Sequence, residues 1–90
     1  MKSREEVFAK SAQLYPDFGS SEHHGRSLGF EEGAFWIGKQ ESVPTRNDVV
    51  AEAERRYEIE EGDGASAIVA VWRRSGFVLG ASWAVDGMLD

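Results

Sequence analysis

From Gly64 to Asp86 the chain reads GASAIVAVWRRSGFVLGASWAVD, two runs of Val, Ile, Phe, Leu and Trp on either side of Ser75-Gly76. Alternation in those runs, with a short turn signal between them, predicts a β-hairpin over 66–85. In that register Trp72 faces Leu79, Ala70 faces Ala81, Ile68 faces Trp83 and Ser66 faces Val85. The reverse face then carries Val69, Val71 and Val78 beside the small residues Ala67, Gly80, Ser82 and Ala84. A second, weaker hairpin is predicted over 26–40. Glu32-Gly33 is its turn, Leu28 and Phe30 lie before the turn, and the strand 34–39 follows. Glycines at 29, 33 and 38 mark bulges or close backbone approach in this reading.

Helical periodicity precedes each hairpin. Ser3-Arg4-Glu5-Glu6 has the form of a capping box, with Val7, Phe8, Ala12, Leu14 and Tyr15 on one side and Pro16 as the stop. Asp17–Gly25 follows as a loop, with Phe18 tucked beneath it as an anchor. Glu41–Pro44 is a linker. Thr45-Arg46-Asn47-Asp48 opens a second helix with the stripe Val49, Val50, Ala53 and Tyr57, ending near Gly62-Asp63-Gly64. Glu52 and Arg56 stand four apart with the acid first, the favoured order for a helical ion pair. The expected fold is one α+β domain over residues 1–90, helix–hairpin–helix–hairpin, with an antiparallel sheet of three or four strands packed against both helices. The two halves repeat this order of elements without a residue-by-residue match.

Composition narrows the chemistry. Ninety residues without cysteine exclude disulfides, thiolate metal sites and a cysteine nucleophile. No apolar run has the length of a membrane span, and MKSREEVF lacks a signal-peptide core, so a soluble cytoplasmic protein is expected. Sixteen acidic against ten basic residues give a net charge of −6, which disfavours direct nucleic-acid binding.

Candidate sites are few. Glu22, His23 and His24 form the one histidine cluster, and Asp17 is the nearest further carboxylate. A catalytic zinc site needs three convergent ligands, and adjacent residues point apart, so a solvated loop is the expected reading. Gly80-Ala81-Ser82-Trp83-Ala84 echoes a nucleophile elbow, but Ser82 falls inside a predicted strand with no helix after it. Gly62-Asp63-Gly64 follows a helix and precedes a strand, the reverse of a dinucleotide-binding turn. Trp36, Trp72 and Trp83 are expected in the core or at its edge, and Arg73-Arg74 at the hairpin tip.

Two features suggest a surface for other proteins. The acidic run Glu52, Glu54, Glu58, Glu60, Glu61 and Asp63 would complement a basic partner. Val69, Val71 and Val78 break the polar alternation of a wet sheet face. The expectation is therefore a non-enzymatic interaction domain without cofactor. It would be a small inhibitor or adaptor docking on a larger, basic protein, in the sharper version a nucleic-acid-binding one, through Glu52, Glu58, Glu60, Glu61, Asp63, Val69, Val71 and Val78. Phage-type anti-defence inhibitors act in this way as a class. A homo-oligomer associating through its sheet, and a metal-binding or hydrolytic enzyme built on Glu22, His23 and His24, are the alternatives.

Overall fold

Ser3 and Thr45 each start a short helix by the same device. Each hydroxyl accepts from the backbone N–H three residues on, and the acid there, Glu6 or Asp48, accepts in return from the cap's own N–H. Both capping boxes are as the sequence predicts. The computed structural model describes residues 3–16, 19–59 and 64–85. They form four helices: α1 Arg4–Leu14, α2 Ser21–Gly38, α3 Arg46–Arg56 and α4 Gly64–Ala84.

No described residue lies in a strand, which overturns the α+β reading and both hairpins. Ser75-Gly76 is mid-helix rather than a turn. Glu32-Gly33 likewise lies inside α2. The ends of the short helices are also tighter than expected. α1 stops before Tyr15 and α3 before Tyr57, each tyrosine N–H donating to the carbonyl four residues back. Asp17 and the expected anchor Phe18 lie outside the described residues.

The glycines explain why the pattern misleads. A glycine inside a helix costs about 1 kcal/mol relative to alanine, so local propensity argues against helix at 25, 29, 33, 76 and 80. Tertiary packing overrides that cost. A Cβ built on Gly29 would stand 2.1 Å from the Arg73 carbonyl oxygen, and one on Gly33 2.1 Å from that of Phe77. A Cβ on Gly76 would stand 2.1 Å from the Arg26 carbonyl oxygen, and one on Gly80 1.9 Å from that of Phe30. The spacing Gly25-x-x-x-Gly29-x-x-x-Gly33 against Gly76-x-x-x-Gly80-x-x-x-Ala84 lets two helix backbones touch, as small residues four apart do in membrane helix pairs. Here no described helix is long and apolar enough to cross a membrane.

Contact positions rise together along both chains, 29 with 73 and 33 with 77, so α2 and α4 run parallel. The contacts are also reciprocal. Gly29 meets Arg73 as Gly76 meets Arg26, and Gly33 meets Phe77 as Gly80 meets Phe30. Reciprocity of this kind is what a two-fold axis produces. It puts the halves in register: RSLGFEEGAFW (26–36) lies over RRSGFVLGASW (73–83), identical at six of eleven positions. The match that the order of elements concealed is thus Arg26/Arg73, Gly29/Gly76, Phe30/Phe77, Gly33/Gly80, Ala34/Ala81 and Trp36/Trp83. Upstream, Arg4, Val7 and Tyr15 match Arg46, Val49 and Tyr57 at a shift five residues shorter, because the α3–α4 connection is one residue longer and α4 starts four residues before the position equivalent to the start of α2.

The core obeys the same symmetry. Phe30 and Phe77 are fully buried, as are Val7 and Val49. Tyr15 meets Phe30 edge-on at 6.2 Å and Phe30 meets Trp83 at 5.4 Å. Tyr57 meets Phe77 edge-on at 6.2 Å and Phe77 meets Trp36 at 5.5 Å. Each aromatic trio takes its Tyr and Phe from one half and its Trp from the other, so neither half completes its core alone. The short helices and their C-caps turn Val7, Ser11 and Tyr15 or Val49, Ala53 and Tyr57 inward, at i, i+4 and i+8, with Tyr15 half-buried and the other five buried. Of the predicted α3 stripe, Val49, Ala53 and Tyr57 are buried and Val50 is half-buried. In α1 the buried middle position is the polar Ser11, whereas Phe8 and Leu14 are left largely exposed.

Candidate functional site

Departures from the two-fold show where the halves differ in role, because equivalent positions share a structural environment. Ser11 is wholly buried and its hydroxyl lies 2.5 Å from the Ser27 hydroxyl and 2.8 Å from Glu31 Oε2. Ser27 also donates to Glu31 at 3.1 Å. The equivalents of these three in the second half are Ala53, Arg74 and Val78, so the hydrogen-bonded trio of the α1–α2 seam has no counterpart between α3 and α4. Arg74 turns instead to the end of α3, donating to the Tyr57 carbonyl at 2.8 Å and the Glu54 carbonyl at 3.4 Å. It therefore serves as a helix-end cap for orphan carbonyls, and not as the hairpin-tip residue the sequence suggests.

A second asymmetric cluster ties α3 to α2. The Tyr57 hydroxyl donates to Glu32 Oε1 at 2.5 Å, and Arg56 lies 3.7 Å from the other Glu32 oxygen. The Arg56 guanidinium also stands 5.3 Å from the Phe77 ring centroid. Burial, and then the bond to Glu32, push the Tyr57 hydroxyl well above the ordinary tyrosine range, and burial raises Tyr15 as well. In the unfolded chain tyrosine ionises near pH ~10. The stability these two groups contribute is therefore complete below that value and is lost as pH rises toward their folded values. Urea melts across the alkaline range should show a progressive fall in stability. Tyr57→Phe should flatten that fall, at a cost near neutrality of about 0.5–1.5 kcal/mol for the lost hydrogen bond.

The residues expected to form a partner surface do not share one. At about 100° per residue, Val69 lies roughly opposite Val71 and Val78 on α4. Val71 is exposed, Val78 is packed against the core, and Val69 lines surface hollows beside Arg73. The face they were expected to form required a strand period of two. Glu52 is not a free carboxylate: it accepts from Arg55 at 2.6 Å and from Arg56 at 2.7 Å. Those hydrogen bonds, the Arg55 one first, hold its pKa below the usual carboxylate value. Glu58 remains exposed at the rim of a hollow next to Arg56 and Tyr57. Glu60, Glu61 and Asp63 lie outside the described residues.

The histidine cluster separates likewise. His23 Nδ1 lies 2.9 Å from the Pro16 carbonyl oxygen, which clasps the α1–α2 connection. Glu22 is taken by Arg26 at 2.9 Å, and His24 faces outward along a neighbouring hollow. Among the described residues no group of three His, Asp or Glu side chains could hold a metal ion. Ser82 is half-buried in the last turns of α4, with none of the strand-to-helix geometry of a nucleophile elbow.

Of the outward face of α4 the pattern singled out Val71 alone. Ile68, Val71 and Leu79 are 52%, 50% and 46% exposed, and lie within about 80° of helix arc. Their two-fold equivalents on α2 are Ser21, His24 and Glu32. One environment therefore carries polar residues in one half and bare aliphatic residues in the other. The signal was present as i, i+3 and i+11 spacing, but alternation masked it. No protein-family model, curated protein or solved structure matches this chain.

Proposed function

We propose that this chain is a non-catalytic interaction domain that docks, through the outward face of α4, onto a larger protein with an apolar groove and a basic rim. One observation carries the reading. Ile68, Val71 and Leu79 are exposed where the equivalent α2 positions are Ser21, His24 and Glu32, so the fold itself does not call for aliphatic residues there. Exposed apolar patches of this kind mark interaction sites. A net charge of −6 disfavours a second copy as the occupant, since like charges repel, and favours a basic partner. The cysteine-free sequence suits a reducing cytoplasm. Inhibitor or adaptor is then a matter of which function the occupied groove serves on the partner. Carboxylate mimicry of a nucleic acid would have to rely on Glu58 and its neighbours, because Glu52 is already paired.

The test exchanges the α4 residues for those of α2: Ile68→Ser, Val71→His and Leu79→Glu together. A partner is captured from the source cells with the wild-type chain, purified, and titrated with both proteins. The triple variant should keep its helical circular dichroism and bind at least roughly tenfold more weakly, and wild-type binding should weaken with salt. Equal affinity for wild type and variant would contradict the reading. So would a wild-type dimer in light scattering that the substitutions dissolve, because the occupant would then be a second copy.

A further inference from the structure

The repeat retains one arginine and removes its partners. In the first half, Arg26 Nε donates to Glu22 at 2.9 Å, and Nη1 reaches across the helix pair to the Ser75 hydroxyl at 3.1 Å. Arg73 is its two-fold equivalent. The position corresponding to Glu22 is Val69, and the position corresponding to Ser75 is Leu28. Neither side chain can accept a hydrogen bond. Arg73 Nε is accordingly sealed from solvent without an acceptor, and no ion pair to Arg73 is formed among the described residues. A buried donor without a partner is costly, and such groups are rare in folded proteins.

Arg73 also borders open space at the surface. Arg73 and Val69 line a hollow of about 450 Å³ together with Ser20, Ser21, His24 and Gly25. Its volume falls in the range of small-ligand sites, roughly 300–1,000 Å³. The carboxylate of Glu22 satisfies Arg26 in the first half, and in the second half the corresponding side chain is an aliphatic wall of the hollow. Two serine hydroxyls and an imidazole complete a lining suited to a ligand with several acceptor oxygens. A guanidinium fork matches such an oxyanion in two parallel hydrogen bonds. We propose that this hollow binds the oxyanion group, phosphoryl or carboxylate, of a small molecule, with Arg73 as its principal contact. The site lies apart from the α4 docking residues and does not depend on that reading.

Inorganic phosphate and, separately, acetate titrated into the ¹⁵N-labelled full-length chain provide the probe. Saturable shifts of the Arg73 side-chain Nε–H and of the Ser21 and His24 amides are expected with at least one of them. Binding of phosphate alone assigns a phosphoryl ligand, and binding of acetate assigns a carboxylate. Arg73→Gln should weaken binding by roughly ten- to a hundredfold. Val69→Glu supplies the internal carboxylate that Arg26 already has. It should abolish binding of either anion while leaving the helical fold intact, which separates occupancy of the site from unfolding. Shifts of equal size in wild type, Arg73→Gln and Val69→Glu, or no saturable shift with either anion, would overturn the proposal.

Discussion

Gly80→Ala should destabilise the protein by at least about 3 kcal/mol, beyond the usual cost of a single added methyl group in a core. The new Cβ would lie 1.9 Å from the Phe30 carbonyl oxygen, and its obstacle is backbone, which has no rotamer to escape through. The helices must move apart along their whole contact or lose it. Gly33→Ala, at 2.1 Å from the Phe77 carbonyl oxygen, should behave alike. The contrast is Gly38, near the end of α2, where a Cβ meets nothing within 4 Å. There the same exchange should raise stability by about 0.5–1 kcal/mol through helix propensity and the entropy of the unfolded chain. Urea melts of the three variants measure all of this. Opposite signs for one chemical change would identify backbone contact, rather than glycine flexibility, as the reason for the glycines.

Phe30→Ala and Phe77→Ala should each cost about 3–5 kcal/mol, because each empties the middle of an aromatic trio from a fully buried position. Against a typical domain stability of about 5–15 kcal/mol, either variant is near the edge of folding. The two-fold makes the costs nearly equal. Among the described residues one difference touches the rings directly: Phe77 lies beneath the guanidinium of Arg56, at 5.3 Å. Phe77→Ala should therefore be the worse by roughly 0.5–1 kcal/mol, and Arg56→Ala should remove that gap. Thermal or urea denaturation of the two phenylalanine variants, alone and with Arg56→Ala, gives the comparison.

Local signals with a single physical cause were legible in the chain. Ser3 with Glu6 and Thr45 with Asp48 announce helix starts because a hydroxyl and an acid three residues apart satisfy each other's backbone donors. The α3 stripe of Val49, Ala53 and Tyr57 and the Glu52–Arg56 pair were equally readable. The long helices were not. Val69, Val71 and Trp72 favour strands only as half-buried sheet residues, a preference that depends on surroundings. Gly29 and Gly33 were correctly associated with close backbone approach, yet the approach is between helices, and its four-residue spacing was the clue. Once 29 and 76 are aligned, the rest of the repeat follows, and with it the pairs that differ. Ile68, Leu79 and Arg73 gain meaning only by comparison with Ser21, Glu32 and Arg26, a comparison that needs the register the fold supplies.

The central claim is that α2 and α4 lie parallel, backbone against backbone, through glycines related by a two-fold. Nuclear Overhauser spectra of the chain labelled at its glycine Cα positions test it without altering a residue. Hα protons of Gly29 and Gly33 should show cross-peaks to Arg73 and Phe77, and those of Gly76 and Gly80 to Arg26 and Phe30. Cross-peaks running in the opposite order, with Gly29 near the C-terminal turns of α4, or the strand-to-strand pattern of a hairpin across Ser75-Gly76, would contradict it.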